Sequence, residues 1–329
     1  MLPFRLEPVF KNYLWGGEKL ITSWGKNPPS RPLAESWELA AHVDGDNVII
    51  DGELKGLTLS EAVRRNPKLV AAGRSATPTQ NFDPENIFPL MVKLIDSAKP
   101  LSIQVHPDDA YAAAVEHSKG KTELWYILDH EPGAFLYLGF KEKITHREFE
   151  RAIETDNLLN VLRKIEVHKG DSFFIPAGTV HSIGAGITLV EIQENSNITY
   201  RVYDYGRVGA DGKPRELHIA KALDVVQTRP ASLEIPGSSE DFIARCAQFS
   251  VRKIKVAGSF VGTRDFTSFR FLLCLSGRVS FRCGGFECEI SRGENVFVPP
   301  ALPVSQRANC EENFHVDGEG EILVVRSEG

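Results

Sequence analysis

The stretch Gly170-Asp-Ser-Phe-Phe-Ile-Pro176-Ala-Gly178-Thr-Val-His181 sets glycine, proline, glycine and histidine at fixed intervals around a short apolar strand. Gly170 permits a turn with positive φ, residues 172–175 supply the strand, and Pro176, which lacks an N–H, ends ladder pairing. Gly178 lets a second backbone approach closely, so the chain turns a corner and His181 points inward from a barrel wall. Residues 293–304 repeat this pattern as Gly293-Glu-Asn-Val-Phe-Val-Pro299-Pro-Ala301-Leu-Pro-Val304, at an offset of 293 − 170 = 123. The glycine, the strand and the proline are kept, but Ala301 and Val304 stand where Gly178 and His181 were. A second pair, Leu124-Trp-Tyr-Ile-Leu and Phe271-Leu-Leu-Cys-Leu, is offset by 271 − 124 = 147. The excess, 147 − 123 = 24 residues, is close to the length of a helical stretch at about 141–164. The expected fold is therefore mainly β, with two barrels of one origin. Residues 1–243 form the first, with an N-terminal extension, helical segments and the insertion; residues 244–329 form a degenerate second.

Working outward, residues 16–79 mix turn-rich stretches with short apolar runs and read as strands and loops. Residues 59–72 carry a helical pattern, with Ser60 as N-cap, Glu61 in the first turn and Gly73 as the stop. Strands are expected over 88–95, 102–105, 123–128 and 135–138. Between 141 and 164 the apolar period lengthens from two to about 3.6, Thr145 caps the run, and two short helices follow. A polar loop over 200–215 leads to a helix over 217–226, and 230–239 reads as a linker. From about 244 to 327 the pattern is nearly all short strands.

Composition bounds the function. A 329-residue chain, 42% hydrophobic and 25% charged, is ordinary for a globular protein with two or three cores. A net charge of −6 argues against a nucleic-acid or anionic membrane surface, so an anionic small substrate would need a local basic pocket. The N-terminus has no leader pattern and no apolar run spans a membrane, which makes a cytoplasmic location the expectation. Five cysteines, all in the last quarter and none in Cys-x-x-Cys spacing, read as reduced packing thiols. Oligomeric state is not readable.

A single inward histidine is as often structural as functional; a converging set is what makes a site. In Gln104-Val-His106 the two side chains sit two apart on a strand and face the same side. Lys121-Thr-Glu123 repeats the alternation at the start of the next strand. Two neutral imidazoles, a carboxylate and an amide oxygen suit one borderline divalent ion such as Zn²⁺, with a position left open; Fe²⁺ and Mn²⁺ accept similar sets. Seven other histidines, among them His42 and His218, show no partner spacing and read as structural or exposed. Trp15 and Trp37 read as packing residues before pocket walls. Arg207 and Lys213 either rim a pocket or are solvated.

The 170–181 stretch resembles the second motif of the cupin superfamily, the jelly-roll β-barrels in which that histidine is a metal ligand, although Ala185 stands where an asparagine is usual. Four segments then occur in one order: Lys99-Pro-Leu-Ser-Ile-Gln-Val-His-Pro-Asp108, Lys121-Thr-Glu-Leu-Trp, Pro176-Ala-Gly-Thr-Val-His181, and Glu191-Ile-Gln-Glu-Asn-Ser-Asn-Ile-Thr-Tyr-Arg201. In this order they resemble the type I mannose-6-phosphate isomerases in their shorter bacterial form, over about residues 10–226. The resemblance implies zinc on Gln104, His106, Glu123 and His181, an active-site Arg201, and a sugar-phosphate substrate isomerised through an enediol. Lys99, Lys121 and Ser102 are candidates for the phosphate. Arg201, always protonated, suits an enediolate or phosphate oxygen but not proton removal. Glu191 is the candidate base, with Lys121 and a water on the metal as alternatives, and a wall ion pair between Glu191 and Arg201 as the structural reading. A metal cupin dioxygenase and a cupin that binds sugars without turnover are the competing functions.

Overall fold

The computed structural model describes residues 1–71, 88–209, 212–301 and 313–328. Its first half is built from two antiparallel sheets. One has five strands in the order Leu162–Glu166, Phe135–Phe140, His181–Ile183, Ile103–Val105 and Tyr200–Tyr203. The other has six, in the order Ser172–Ile175, Glu123–His130, Ile187–Glu194, Leu90–Ser97, Glu35–Leu39 and Val9–Lys11. Trp125, Ile127, Leu189 and Phe173 of the six-stranded sheet pack on Leu136, Leu138 and Ile183 of the five-stranded one. The insertion packs outside the five-stranded sheet, where Phe149 and Leu158 meet Val105, Phe140 and Val202. Burying Phe149 alone is worth roughly 1.5–3 kcal/mol.

The six-stranded sheet is covered on both faces. Leu124, Tyr126, Val190 and Ile192 point away from the five-stranded sheet and join Phe271, Leu273, Leu323 and Val325 of the C-terminal half in one core. This is why Leu90–Ser97 and Ile187–Glu194 are buried at every position, and why their sequences run apolar without clean alternation.

The C-terminal half is one antiparallel sheet. Its main strands are Phe249–Thr263, Arg270–Cys283 and Asn313–Ser327, of 15, 14 and 15 residues, so the expectation of short strands was wrong. Each runs through two cores: Phe271 and Leu273 lie in the shared one, Leu272, Cys274 and Phe281 in a private one. A single long strand here does the work of two in the first half. The two-residue turn Gly284-Gly285, both with positive φ, joins Cys283 to Phe286 where the first half carries its helical insertion.

The repeat holds to the residue. Strand Ser172–Ile175 shifted by 123 is strand Asn295–Val298, and Gly170 and Gly293 both have positive φ, at 95° and 83°. Pairing agrees: Phe173 opposes Trp125 and Val296 opposes Leu272, as the two offsets require. The next strand agrees as well: Glu191 opposes Trp125 and Val324 opposes Leu272, and the ladder bulges at the corresponding place, between Thr188 and Leu189 and between Cys274 and Ser276. Val304 lies outside the described residues.

Helix boundaries shift for local reasons. The helix Leu59–Arg65 is capped by Thr58 in a reciprocal box with Glu61, one turn edge earlier than Ser60 suggested, and it stops before Pro67 rather than continuing. Thr145 caps His146–Glu154 as expected, in a box with Glu148. An unforeseen helix, Asp109–Val115, follows Pro107; Asp108 caps it by accepting from the Tyr111 N–H at 2.9 Å. No helix among the described residues is long and apolar enough to cross a membrane. None of the four described cysteines is in a disulfide, and Cys274 and Cys283 are buried; Cys310 lies outside the described residues.

Candidate metal centre

Two rungs of the facing sheets carry the polar residues inward. On the five-stranded sheet Gln104 pairs with His181 on one side and with Arg201 on the other, so three strands contribute one row. On the six-stranded sheet Trp125, Glu191 and Lys93 pair in sequence. Gly178, with φ +82°, makes the corner: a Cβ there would meet the Val225 carbonyl at 2.7 Å, and its N–H donates to the His106 carbonyl at 2.8 Å. The turn before His181 is thereby tied to the backbone of His106.

His106, Glu123 and His181 are fully buried, and their ligand atoms lie within 4.8 Å of one another. Each imidazole Nδ1 is 2.8 Å from a backbone carbonyl, of Ile198 for His106 and Thr179 for His181. A carbonyl only accepts, so each Nδ1 carries the hydrogen and each Nε2 presents a lone pair. Glu123 Oε1 is 3.3 Å from His106 Nε2, and Oε2 is 3.6 Å from His181 Nε2. Donors 2.1 Å from a tetrahedral ion sit about 3.4 Å apart.

The charge states fit the same occupant. Burial, reinforced by the Lys121 charge, pushes His106 down to about 3, and burial also lowers His181. Burial alone would raise Glu123, but Lys121 and His106 outweigh it and hold the carboxyl well below its ordinary range. His106 Nε2 and both Glu123 oxygens are buried without a hydrogen-bond partner; the Lys121 ammonium is 2.8 Å from Oε1 but not aligned to bond it. Buried lone pairs facing one another repel, and a cation between them removes the repulsion. The amide end of Gln104 lies 3.4 Å from His181 Nε2, and turning that amide exchanges its nitrogen for its oxygen.

A cavity of about 260 Å³ lies beside the centre, reached through Gln104 next to His181 and Lys121 next to Glu123. Its walls include Ser102, Gln104, Lys121, Glu191 and Arg201, together with Lys93 and Arg215. Four cations against Glu35 and Glu191 make the local basic pocket that an acidic chain needs. Lys99 is exposed and is not part of the wall. In the polar loop it is Arg215, not Arg207 or Lys213, that reaches the cavity; Arg207 is turned to the Pro100 carbonyl and Asp204.

The sequence profile of the phosphomannose isomerase type I catalytic domain matches residues 3–140. Mannose-6-phosphate isomerase ManA of Bacillus subtilis is 35% identical over 331 aligned positions, covering 98% of both chains. The mannose-6-phosphate isomerase of Streptococcus mutans is 31% identical, covering 99% of this chain and 98% of its own. The chain belongs to the type I phosphomannose isomerases. A crystal structure of the mannose 6-phosphate isomerase from Bacillus subtilis, 30% identical, superposes over 99% of both chains with a TM-score of 0.86, and gives this isomerase the cupin fold of its family.

Within that family fold, Glu191 has a different partner from the one its sequence neighbourhood suggested. Its Oε1 is 3.3 Å from Lys93 Nζ and its Oε2 accepts from Trp125 Nε1 at 2.9 Å, so the wall pair is with Lys93 and not Arg201. Burial, then the Glu123 charge, raises Glu191 above the ordinary carboxyl value. Arg201 donates from Nη1 to the Glu216 carbonyl at 2.9 Å, while its Nε is buried without a hydrogen bond. His218 supports it by accepting the Arg201 backbone N–H at 3.2 Å. Trp15 lines the cavity; Trp37 is fully buried, donates to Glu35 at 2.6 Å and stacks under Lys93.

Sequence reasoning missed Lys93, Glu35 and Arg215. Lys93 had a signal: a lone lysine inside Leu-Met-Val-Lys-Leu-Ile is a charge placed where a strand is otherwise buried, and such charges are paired. Despite full burial it stays above the ordinary lysine value, because Glu35 and Glu191 outweigh the loss of solvent. Arg215 had none, since a loop arginine acquires its position only from the fold.

Proposed function

We propose that the chain interconverts mannose 6-phosphate and fructose 6-phosphate by moving a proton between C1 and C2 through an enediol, with one Zn²⁺ per chain held by Gln104, His106, Glu123 and His181. The observation that carries this reading is the buried cluster of His106, Glu123 and His181, whose lone pairs face one another beside a cation-lined cavity. When bound, the ion supplies a Lewis acid to the carbonyl and hydroxyl oxygens of the substrate.

Glu191 takes the proton from C2 and returns one to C1. Its raised pKa brings a carboxylate closer to the operating pH, and Trp125 and Lys93 fix its orientation. Arg201 and Arg215 take the phosphate from the cavity wall: Arg201 Nε is buried without a hydrogen bond, and Arg215, itself paired with Asp204 through Nε at 2.7 Å, adds a second guanidinium beside it. Lys121 and Ser102 face the sugar oxygens. Lys99 drops out of the substrate set because it lies outside the cavity. The dioxygenase and binding-only readings gain nothing from relatives that are named as isomerases.

Elemental analysis, paired with conversion of mannose 6-phosphate before and after chelation, tests the reading. One equivalent of zinc and chelator-sensitive turnover are expected. Bound metal without turnover would favour a sugar-binding cupin, and metal-free turnover would remove the ion from the mechanism.

A further inference from the structure

The second half contains its own cavity, of about 300 Å³, at the place that corresponds to the first. The paired ladders make the correspondence residue by residue. Glu123, opposite Ile175, becomes Arg270, opposite Val298. Glu191, opposite Trp125, becomes Val324, opposite Leu272. Lys93, opposite Glu191, becomes Arg252, opposite Val324. Arg252, Arg270 and Val324 all line the second cavity, as Lys93 and Glu191 line the first.

The chemistry is inverted. Where the first half buries the carboxylate of Glu123 among imidazoles, the second cavity presents four guanidiniums, Arg245, Arg252, Arg270 and Arg326. Their side-chain exposures of 12% for Arg270, 26% for Arg326, 36% for Arg252 and 57% for Arg245 run from floor to mouth. Compensation among the described residues is incomplete. Asp265 is shared, at 2.7 Å from Arg270 and 3.4 Å from Arg326. Glu328 is 3.9 Å from Arg245 and 3.7 Å from Arg326 Nε, a buried N–H with no hydrogen-bond acceptor. Arg252 has the largely exposed Asp241 at 3.4 Å. Phe260 and Phe314 close one side.

We infer that this cavity is a binding site for a small phosphorylated molecule, its phosphate held by Arg252, Arg326 and Arg245 and its body resting on Phe260 and Phe314. Guanidinium forks match phosphate oxygens two at a time, and a site built from arginine on a sheet floor holds them in place. The volume suits a small metabolite. Loss of the carboxylate at position 270 removes the metal option, so the two barrels divide the labour of anion and cation. This inference does not rest on the isomerase reading, since no residue of the first cavity enters it.

Equilibrium dialysis of the full chain against inorganic phosphate at constant ionic strength tests it. One equivalent should be lost in the double variant Arg245→Glu with Arg252→Glu and kept in Arg201→Ala, whatever the first cavity binds, and the isomerase turnover of the double variant stays at the wild-type value. Should the double variant fail to fold, Arg252→Gln alone is expected to weaken the second site by about tenfold. A single equivalent abolished by Arg201→Ala, or unaltered phosphate binding in the Arg252 variants, would overturn the inference.

Discussion

The two barrels share a ladder and differ in what the ladder faces. At the positions turned toward each other, both copies are apolar: Leu124, Tyr126, Val190 and Ile192 in the first, Phe271, Leu273, Leu323 and Val325 in the second. At the alternate positions, turned inward, Glu123, Trp125 and Glu191 become Arg270, Leu272 and Val324. A strand's period of two lets one face hold register while the other changes its chemistry freely. The common core is the constraint, since slipping either sheet by one residue would turn its apolar row outward. The cavities carry no such constraint, and at the Glu123 position the charge reverses to that of Arg270.

The largest effect that would sharpen this contrast is at the metal centre. His181→Ala removes one of about four ligands, so bound metal should be lost and kcat/KM should fall on the order of a thousandfold or more. Metal retention in that variant, measured by elemental analysis, would break the division of labour between the barrels. Glu191→Gln comes next: metal content is kept, while exchange of the substrate C2 proton with solvent falls on the order of a hundredfold or more. Retained exchange would remove Glu191 as the base.

In the second barrel the matching experiment reads stability instead. Leu272→Ala empties a fully buried position of the private core and should cost about 2–5 kcal/mol in a denaturant melt. The kcat of the folded enzyme is expected to stay unchanged; a large loss would mean that the second barrel shapes the first cavity. Lys93→Met gives a smaller, directional result. The Lys93 charge lowers Glu191, so its removal raises that carboxyl further. A base must be unprotonated, hence the acid limb of the pH–rate profile should move to higher pH. A limb that stays in place, or moves to lower pH, would disconnect Glu191 from it.

Asp265 offers the smallest effect. Burial would raise it, but its hydrogen bond from Thr267 and its pairing with Arg270 outweigh that and bring it down to about 2, from 3.8. A carboxyl depressed on folding stabilises above its unfolded pKa, and the contribution fades as pH falls through the folded value. Asp265→Asn should therefore cost about 1 kcal/mol near neutrality, discounted for partial exposure, and the gap to wild type should close between about pH 4 and 2. A gap that is constant across that window would assign the loss to packing.

Much of the arrangement was legible beforehand because it is local or periodic. Gly170, Gly178 and the repeat at Gly293 announced barrel corners through backbone conformation, and Gln104-Val-His106 announced a shared face through alternation. What was misread came mostly from contacts distant in the chain. The long C-terminal strands looked short because they cross from one core into another, changing which residues face inward along the way. One misreading was local: Thr58, not Ser60, caps the helix in a box with Glu61, a Thr-x-x-Glu spacing that the sequence itself displays.

The sequence by itself determined the mainly β cupin fold and the convergence of His106, Glu123 and His181, with Gln104 beside them. Spacing along a strand sets which side chains share a face, and that is a one-dimensional property. Only the tertiary structure decided that Glu191 answers to Lys93 rather than Arg201, that Lys99 stands outside while Arg215 enters, and that Arg245, Arg252, Arg270 and Arg326 meet around one cavity. Those pairings join residues tens of positions apart, and they form because the sheets stack back to back on a common apolar core, which no local pattern in the chain specifies.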